Sequence, residues 1–333
     1  MSNESNTAPG DEKTWARWAW RRLDSIAIVC LLVSLVPLFS GWHWAAALAT
    51  NLRAHLLAAG FIGLCLVGLG RKWRMVLCFG FVVLLNAWVV QPHTWIPFAG
   101  YRHASNETSE LKILVWNIHN GTITPGALQS LVELHDPDVV GLLEVDPQTQ
   151  SELQWLRDRH PTYRELARED NFGLALYSRK HGIITGFVEE TPGMKLRISN
   201  ENSPSLDLFL IHPLPPIGQN AMVRNRTLAA VAQRVKASDA SGQIVVGDWN
   251  CVPWAAAFRQ FQFDTNLVDS RRYRGYQASW PSYLGWLGIP IDHALCSRDL
   301  RVNQRSMLFA DSGTDHGAIL LTIQPNERRL VPR

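Results

Sequence analysis

Ile244–Trp254 reads IVVGDWNCVPW. Three apolar, β-branched residues run into Gly247, Asp248 and Asn250, which is the signature of a short buried strand bounded by turn-forming residues. Side chains alternate along a strand with a period of two. If the strand continues, Asp248 and Asn250 share one face and Trp249 takes the packing side. Gly-Asp and Asn are also common turn formers, so a polar turn is the other reading of this stretch taken alone. The strand ends elsewhere in the chain decide between them.

From Leu111 onward the sequence alternates short apolar runs with turns. LKILVWN ends on Asn117, VVGLLEVD carries Glu144, LDLFLIHPLPP carries His212, PIDHALCS opens on Asp292, and GTDHGAILLTI holds Asp315 and His316. FGLALYSR is a further strand, while GALQSLVELHDPD and AMVRNRTLAAVAQRVKAS have helical spacing. Asn117, Glu144, His212, Asp248, Asn250, Asp292 and His316 thus all fall at or near the end of an apolar strand. Each alone reads equally as a turn former or a solvated loop charge. A sheet that gathers its strand ends along one edge collects all seven in one cleft. No internal repeat or low-complexity tract is evident.

The chain has 333 residues and a net charge of +3. Charge is unevenly shared: 8 Lys/Arg against 4 Asp/Glu up to Gly100, then 24 against 25. A near-neutral second part lacks the electrostatic footprint of a tight nucleic-acid binder but leaves room for a nucleic-acid substrate at a local patch. Cys30, Cys65 and Cys78 lie in apolar runs as small hydrophobic filler. Cys251 and Cys296 have no zinc-type spacing, and in an oxidising compartment they are candidates for a disulfide.

Three apolar segments precede Gly100: Ser25–Ser40, Ala54–Gly70 and Met75–Val90. A spanning helix needs about 20 mostly apolar residues, and a cleaved signal peptide explains only the first. Lys13, Arg17, Arg21 and Arg22 before the first segment and Arg71, Lys72 and Arg74 before the third, against Arg53 alone between the first two, predict a cytoplasmic N-terminus. Three crossings then place the rest extracytoplasmic, in the periplasm of an inner membrane, with Trp95 and Phe98 at the outer interface. The expected organisation is a cytoplasmic polar N-terminus over 1–22, disordered over its first twelve residues, a three-helix transmembrane region over 23–98, a linker over 99–110, a catalytic domain over 111–325 and a tail over 326–333. The segments contain no internal acid or base beyond His55 near an end, which argues against a transport pathway.

Ordered along the chain, WNIHNG, LLEVD, LIHPLPP, VVGDWN, IDHAL and GTDHGA resemble the signatures of the endonuclease/exonuclease/phosphatase superfamily, over roughly Leu111–Ile323. The GDWNCVPWAAAF stretch also resembles a bacterial subset with N-terminal membrane spans. The resemblance implies an α/β fold, a four-layer α/β sandwich of two mostly antiparallel sheets, and metal-dependent cleavage of a phosphoester. Leu143 precedes Glu144 where many relatives carry Gln, and His293 follows Asp292 where some carry Tyr; neither change removes a required functional group.

The chemistry needs a cation, a base and donors for developing charge. On the resemblance, Glu144 is the main metal ligand, with Asn117 adjoining it and Asp315 contributing. Mg²⁺, or Mn²⁺, as one or two ions, suits such oxygen ligands. His316 is the expected general base, or electrostatic partner, of the attacking water, oriented by Asp292; Asp248 positions the water, and Asn250 and His212 donate to phosphate. Arg224 and Arg226 are candidate phosphate contacts or solvated helix charges, and Arg271, Arg272 and Arg274 read as a solvent-facing run. Tyr276–Pro290 carries Trp280, Tyr283 and Trp286, suited to stacking on bases, dipping into a lipid interface or packing in a loop. The substrate classes left open are nucleic acid and phospholipid or headgroup esters; the alternative function is a non-catalytic envelope binding module.

Overall fold

The structure, a computed structural model, describes residues 9–68, 72–94, 110–119, 121–124, 126–200, 203–309 and 313–325. Of the twelve residues expected to be disordered, 9–12 instead open a helix that runs to Leu35, and the first eight lie outside the described residues, as do the interfacial Trp95 and Phe98, most of the linker and the 326–333 tail. The chain divides into two compact units, Met1–Gln91 and Pro92–Arg333.

In the first unit the helices are α1 (Pro9–Leu35), α2 (Trp44–Ala49), α3 (Arg53–Gly68) and α4 (Trp73–Thr94). Among the described residues, three stretches are long and apolar enough to cross a membrane: Arg17–Phe39, Trp44–Gly68 and Trp73–Val90, the shortest being 18 residues, or about 27 Å of helix. Small residues let the helices approach closely, as membrane helices do. A Cβ on Gly63 would come within 2.4 Å of the Phe79 ring, and one on Gly60 within 2.9 Å of Val82. The buried polar groups are joined: Arg53 Nη1 donates to Asn86 Oδ1 (3.2 Å), and Asn86 Nδ2 donates to Ser34 Oγ (2.9 Å) and to the Val82 carbonyl (2.8 Å).

The second unit holds two six-stranded sheets. The first contains β1 (Leu111–Asn117), β2 (Val139–Leu143), β3 (Thr162–Leu166), β4 (Leu174–Ser178), β11 (Leu300–Leu308) and β12 (Ala318–Pro325), in the order β11-β12-β1-β2-β4-β3. The second contains β5 (Gly182–Glu189), β6 (Thr191–Asn200), β7 (Ser203–Ile211), β8 (Gly242–Asp248), β9 (Val268–Asp269) and β10 (Asp292–Cys296), in the order β5-β6-β7-β8-β10-β9. Each sheet has a single parallel pair at its centre, β1–β2 in one and β7–β8 in the other, and every other pairing is antiparallel. A parallel pair needs a crossover: α5 (Ala127–His135) links β1 to β2, and α8 (Asn220–Lys236) links β7 to β8. The remaining helices are α6 (Pro147–Glu152), α7 (Gln154–Arg159) and α9 (Ala256–Thr265).

Burial on both faces explains why the central strands are continuous apolar runs. In β1, Ile113 and Val115 enter the core between the sheets, together with Leu208, Leu210, Ile244 and Val246, while Leu114 and Trp116 pack outward with Leu128 and Val132 of α5. Outside the second sheet, Trp249 is fully buried against Phe258 and Phe261 of α9, its ring centroids 5.4 and 4.7 Å from theirs. The result is a four-layer α/β sandwich, as expected.

At the end of the central parallel pair, Gly247 has φ +137°, and a Cβ there would lie 2.0 Å from the Ile211 carbonyl oxygen. Strain of this kind costs about 1–3 kcal/mol for the backbone alone, and the clash with a fixed carbonyl adds to it. Gly247→Ala is expected to lower the thermal unfolding midpoint of the second unit by at least about 5 °C, read by calorimetry on the full chain in detergent micelles.

Candidate active site

The carboxyl ends of the two parallel pairs carry the polar residues. Asn117 closes β1, beside Leu143 in the register, so Glu144 follows immediately on the neighbouring strand. His212 follows β7 and Asp248 closes β8; Asp292, at the start of antiparallel β10, pairs directly with Asp248. His316 precedes β12, which runs antiparallel to β1, and arrives at the same edge. Its backbone is fixed there: the carbonyl accepts from Trp116 Nε1 (2.9 Å), the N–H donates to Thr314 Oγ1 (3.2 Å), and that hydroxyl donates to the Asn117 carbonyl (2.9 Å).

One amide ties the cluster together. Asn117 Nδ2 donates to Glu144 Oε1 at 2.8 Å and lies 3.4 Å from Asp248 Oδ2 and 3.5 Å from His316 Nε2. His212 Nε2 stands 3.5 Å from Asp248 Oδ2 and 3.8 Å from Glu144 Oε1. His316 Nδ1 is 3.0 Å from Asp292 Oδ2, and its Nε2 is 3.8 Å from Asp248 Oδ2. Asp315 sits at the rim, 3.9 Å from His316 Nε2; its Oδ1 meets His119 Nδ1 at 2.5 Å and its Oδ2 accepts from Trp280 Nε1 at 2.7 Å. His119, Glu144 and Asn250 all occupy the left-handed backbone region, with φ of 53°, 60° and 50°. Such conformations concentrate where backbone strain serves a site.

The charges explain the proton affinities. Burial disfavours a charged His316, but the Asp292 carboxylate, aided by Asp248 and Asp315, overrides it and pushes the imidazole up to about 9. Burial likewise opposes charge on His212, and Asp248 and Glu144 raise it nevertheless. Burial works against the Asp248 carboxylate, whose pKa His212 and His316 together lower. Four carboxylates, Glu144, Asp248, Asp292 and Asp315, here face two buried imidazoles. Glu144 Oε2 and His212 Nδ1 are buried and have no hydrogen-bond partner among the described residues. Oxygen donors, an excess of negative charge and an orphaned carboxylate oxygen are the donor set a hard divalent cation takes. Asp248, Asp292 and His316 also present ligand atoms within 4.8 Å of one another; these three already face each other, whereas the Glu144 oxygen faces no donor.

Two expectations need correction. The strand stops at Asp248, and Asp248–Asn250 is a turn: Asn250 N–H donates to Asp248 Oδ1 (2.8 Å), and its side-chain amide donates to the Pro213 carbonyl (3.0 Å) rather than aligning beside Asp248. Arg271 is not solvent-facing. It is 1% exposed, pairs with Asp269 through Nη2 at 2.8 Å, and its Nη2 also donates to His293 Nδ1. His293 Nε2 in turn donates to the Cys251 carbonyl at 2.6 Å, which holds the turn after Asp248. Arg224, left open between phosphate and solvent, is buried and donates from Nη1 to the Asn250 carbonyl (3.1 Å); Arg226 is an exposed partner of Glu190. Cys251 and Cys296 are free, and burial pushes their thiols up to about 11 and about 12.

Sequence reasoning passed over His119 as a site residue, although it stands two positions after Asn117, where its N–H donates to Asn117 Oδ1 (3.0 Å). It also passed over Trp280 as a partner of Asp315.

Residues 114–316 match the model of the Endonuclease/Exonuclease/phosphatase family. The chain belongs to that family. Solved structures share the fold of the second unit. D. rerio TDP2, complexed with a single-strand DNA product, superposes with a TM-score of 0.55 at 18% identity, over 65% of this chain and 99% of that one. The human nocturnin catalytic domain, with a bound sulfate anion, gives 0.52 at 15% identity, over 65% and 95%. An endonuclease/exonuclease/phosphatase from Beutenbergia cavernae gives 0.52 at 16% identity, over 68% and 74%. At these identities the likeness is one of fold. No curated protein matches the chain in sequence.

The Asp269–Arg271 pair behind the site has a pH signature. Burial opposes ionisation of Asp269, but Arg271 overrides it and holds the carboxyl at about 2. A depressed folded-state pKa stabilises above the unfolded value, near 3.9, and that stabilisation is lost as pH falls toward 2. Asp269→Asn is therefore expected to remove about 2 kcal/mol of the stability change between pH 5 and pH 2, read from urea unfolding midpoints.

Proposed function

We propose that this chain is a divalent-metal-dependent phosphoester hydrolase whose spanning helices hold it at a membrane, with the N-terminus cytoplasmic and the catalytic unit extracytoplasmic. The observation that carries the reading is the unpartnered Glu144 Oε2 inside a buried, acid-rich cluster. Glu144 would hold Mg²⁺ or Mn²⁺, with Asp315 reachable at the rim; Asn117, the expected adjoining ligand, faces Glu144 with its amide nitrogen and would orient that carboxylate. A bound cation supplies positive charge to a phosphate oxygen and so lowers the repulsion against an incoming nucleophile.

The remaining work falls to the protein's own groups. Asp292 holds His316 through Nδ1, so that Nε2 faces Asp248. The carboxylates that push His316 up to about 9 keep it charged at neutral pH; with a cation bound among them that charge is offset, and Nε2 can take the proton of a water oriented by Asp248. The water oxygen adds to phosphorus, the P–O ester bond breaks, the departing alkoxide takes a proton from solvent to leave as an alcohol, and His316 returns the proton it accepted to solvent. Charge growing on the phosphate oxygens meets His212 Nε2 and the Asn117 amide, donors already fixed by their strands. Asn250 sets the turn that aims Asp248, a positioning part rather than the phosphate donor expected from sequence. A binding module on the same fold has no use for four carboxylates and two imidazoles held in mutual repulsion and strain.

Hydrolysis of bis(p-nitrophenyl) phosphate is expected to stop on chelation and return with Mg²⁺ or Mn²⁺. Glu144→Gln and His316→Gln are each expected to lower kcat by about 10²–10⁴ while the thermal midpoint stays within a few degrees. Unchanged turnover in either variant refutes the assignment.

A further inference from the structure

Beside the site entrance, the chain makes a short 3₁₀ turn, Ser282–Leu287, in which no residue is buried. Its tip exposes Tyr283 (79%), Trp286 (77%), Leu284 (44%) and Leu287 (44%). The turn is built rather than loose. Gly285 adopts φ 54°, ψ −124°, a region essentially closed to other residues. Its base is fastened to the site: Ser282 N–H donates to the Asp315 carbonyl (2.7 Å), Ser282 Oγ donates to the Thr314 carbonyl (3.1 Å), and Trp280 Nε1 donates to Asp315 Oδ2 (2.7 Å). The far side closes through the Trp280–Ile289 bridge. Two further strand-end loops at this edge expose apolar side chains, Ile217 after His212 and Phe309 after β11.

We infer that the 282–287 turn is a lipid-contacting element, and that the phosphoester delivered to this site is carried at a bilayer surface. The substrate half of this inference rests on the hydrolase reading above; the docking half does not. Two chemistries fit exposed aromatic residues at a phosphoesterase entrance, base stacking and membrane interface. Strand-tracking grooves combine aromatic residues with cations that neutralise phosphates. From Gly275 to Ile291 there is no Lys or Arg, and the apolar partners of the aromatics are leucines. Trp and Tyr with leucines and without charge is the composition of a membrane-interface anchor. A bilayer is within reach, because the same chain has three helices able to cross one. The segment from Thr94 to Leu111 can extend roughly 60 Å at most. A patch that would be a liability on a freely soluble protein is thereby given an occupant.

The test uses the full chain in phosphatidylcholine nanodiscs, in a Cys65→Ser background. An environment-sensitive NBD label is placed at Trp286→Cys or, as control, at Leu134→Cys, a residue 75% exposed on α5. The label at 286 is expected to shift to the blue and to be quenched by nitroxide-bearing lipid; the label at 134 is not. Equal water exposure at both positions overturns the docking, as does protection of 286 by a single-stranded oligonucleotide in place of lipid. In the same discs, the Tyr283→Ser/Trp286→Ser/Leu287→Ser variant is expected to lose at least tenfold in hydrolysis of a fluorogenic phospholipid while staying within twofold on water-soluble bis(p-nitrophenyl) phosphate. The soluble substrate also reports that the variant is folded. Equal losses on both substrates, or a parent protein that cleaves only the soluble one, overturn the substrate half. No hydrolysis of either by the parent protein refutes the hydrolase reading, and the label still decides the docking.

Discussion

The side-chain amide of Asn117 has two hydrogens, and three groups from two different sheets stand within 3.5 Å of its nitrogen. Glu144 belongs to the same sheet as Asn117, Asp248 to the facing sheet, and His316 to the loop that enters β12. The amide keeps its short bond to Glu144 while standing beside the other two only if the two sheets keep their spacing. That spacing is set by the apolar core between them, in which Val115 and Leu143 meet Leu210 and Val246. Gly141 illustrates how tight the fit is, since a Cβ there would lie 3.1 Å from Leu210 Cδ1. Packing between the sheets and polar geometry at their edge are therefore the same constraint seen at two depths.

The two sheets repeat one plan. Each centres on a parallel pair joined by a crossover helix and is extended on both sides by antiparallel strands. A parallel pair sends two strand ends in one direction, so each sheet delivers two adjacent polar residues to one edge: Asn117 with Glu144, and His212 with Asp248. The antiparallel neighbours add Asp292 and His316. Ligand sites of parallel sheets gather at the carboxyl ends of the strands; here two such ends face each other. The repeat escaped inspection of the sequence because it resides in strand direction and order, not in matching residues.

What the sequence revealed follows burial. β1, β2, β4, β7, β8, β10 and β12 are covered on both faces or nearly so, and each reads as an apolar run; β1, β2, β7 and β8 end where a polar site residue stands, and β10 and β12 begin there. β3, β5 and β11 are edge or half-exposed strands with mixed composition, and none stood out. Among the site residues, those at strand ends were legible one by one, because a buried run that stops on Asn, Glu, His or Asp is an unusual local pattern. Asn250 was legible as a polar group but not in its direction, since the left-handed φ that turns it toward Pro213 has no signature beyond the residue type. Arg271 was misread for another reason. It sits in a run of arginines that looks solvated, and its burial depends on His293, 22 positions away and on a different element. Charge runs are ordinarily judged by local composition, which carries no information about a distant partner.

Glu144 holds a left-handed backbone conformation that glycine or asparagine would adopt at lower cost. It does so with one carboxylate oxygen left without a donor in a buried setting. Neither trait helps the chain to fold. The residue types that would relax this position lack a carboxylate, so the sequence that folds best and the sequence that works are different sequences. Selection for thermal robustness alone would favour replacing this residue, and its presence here points to a requirement other than folding.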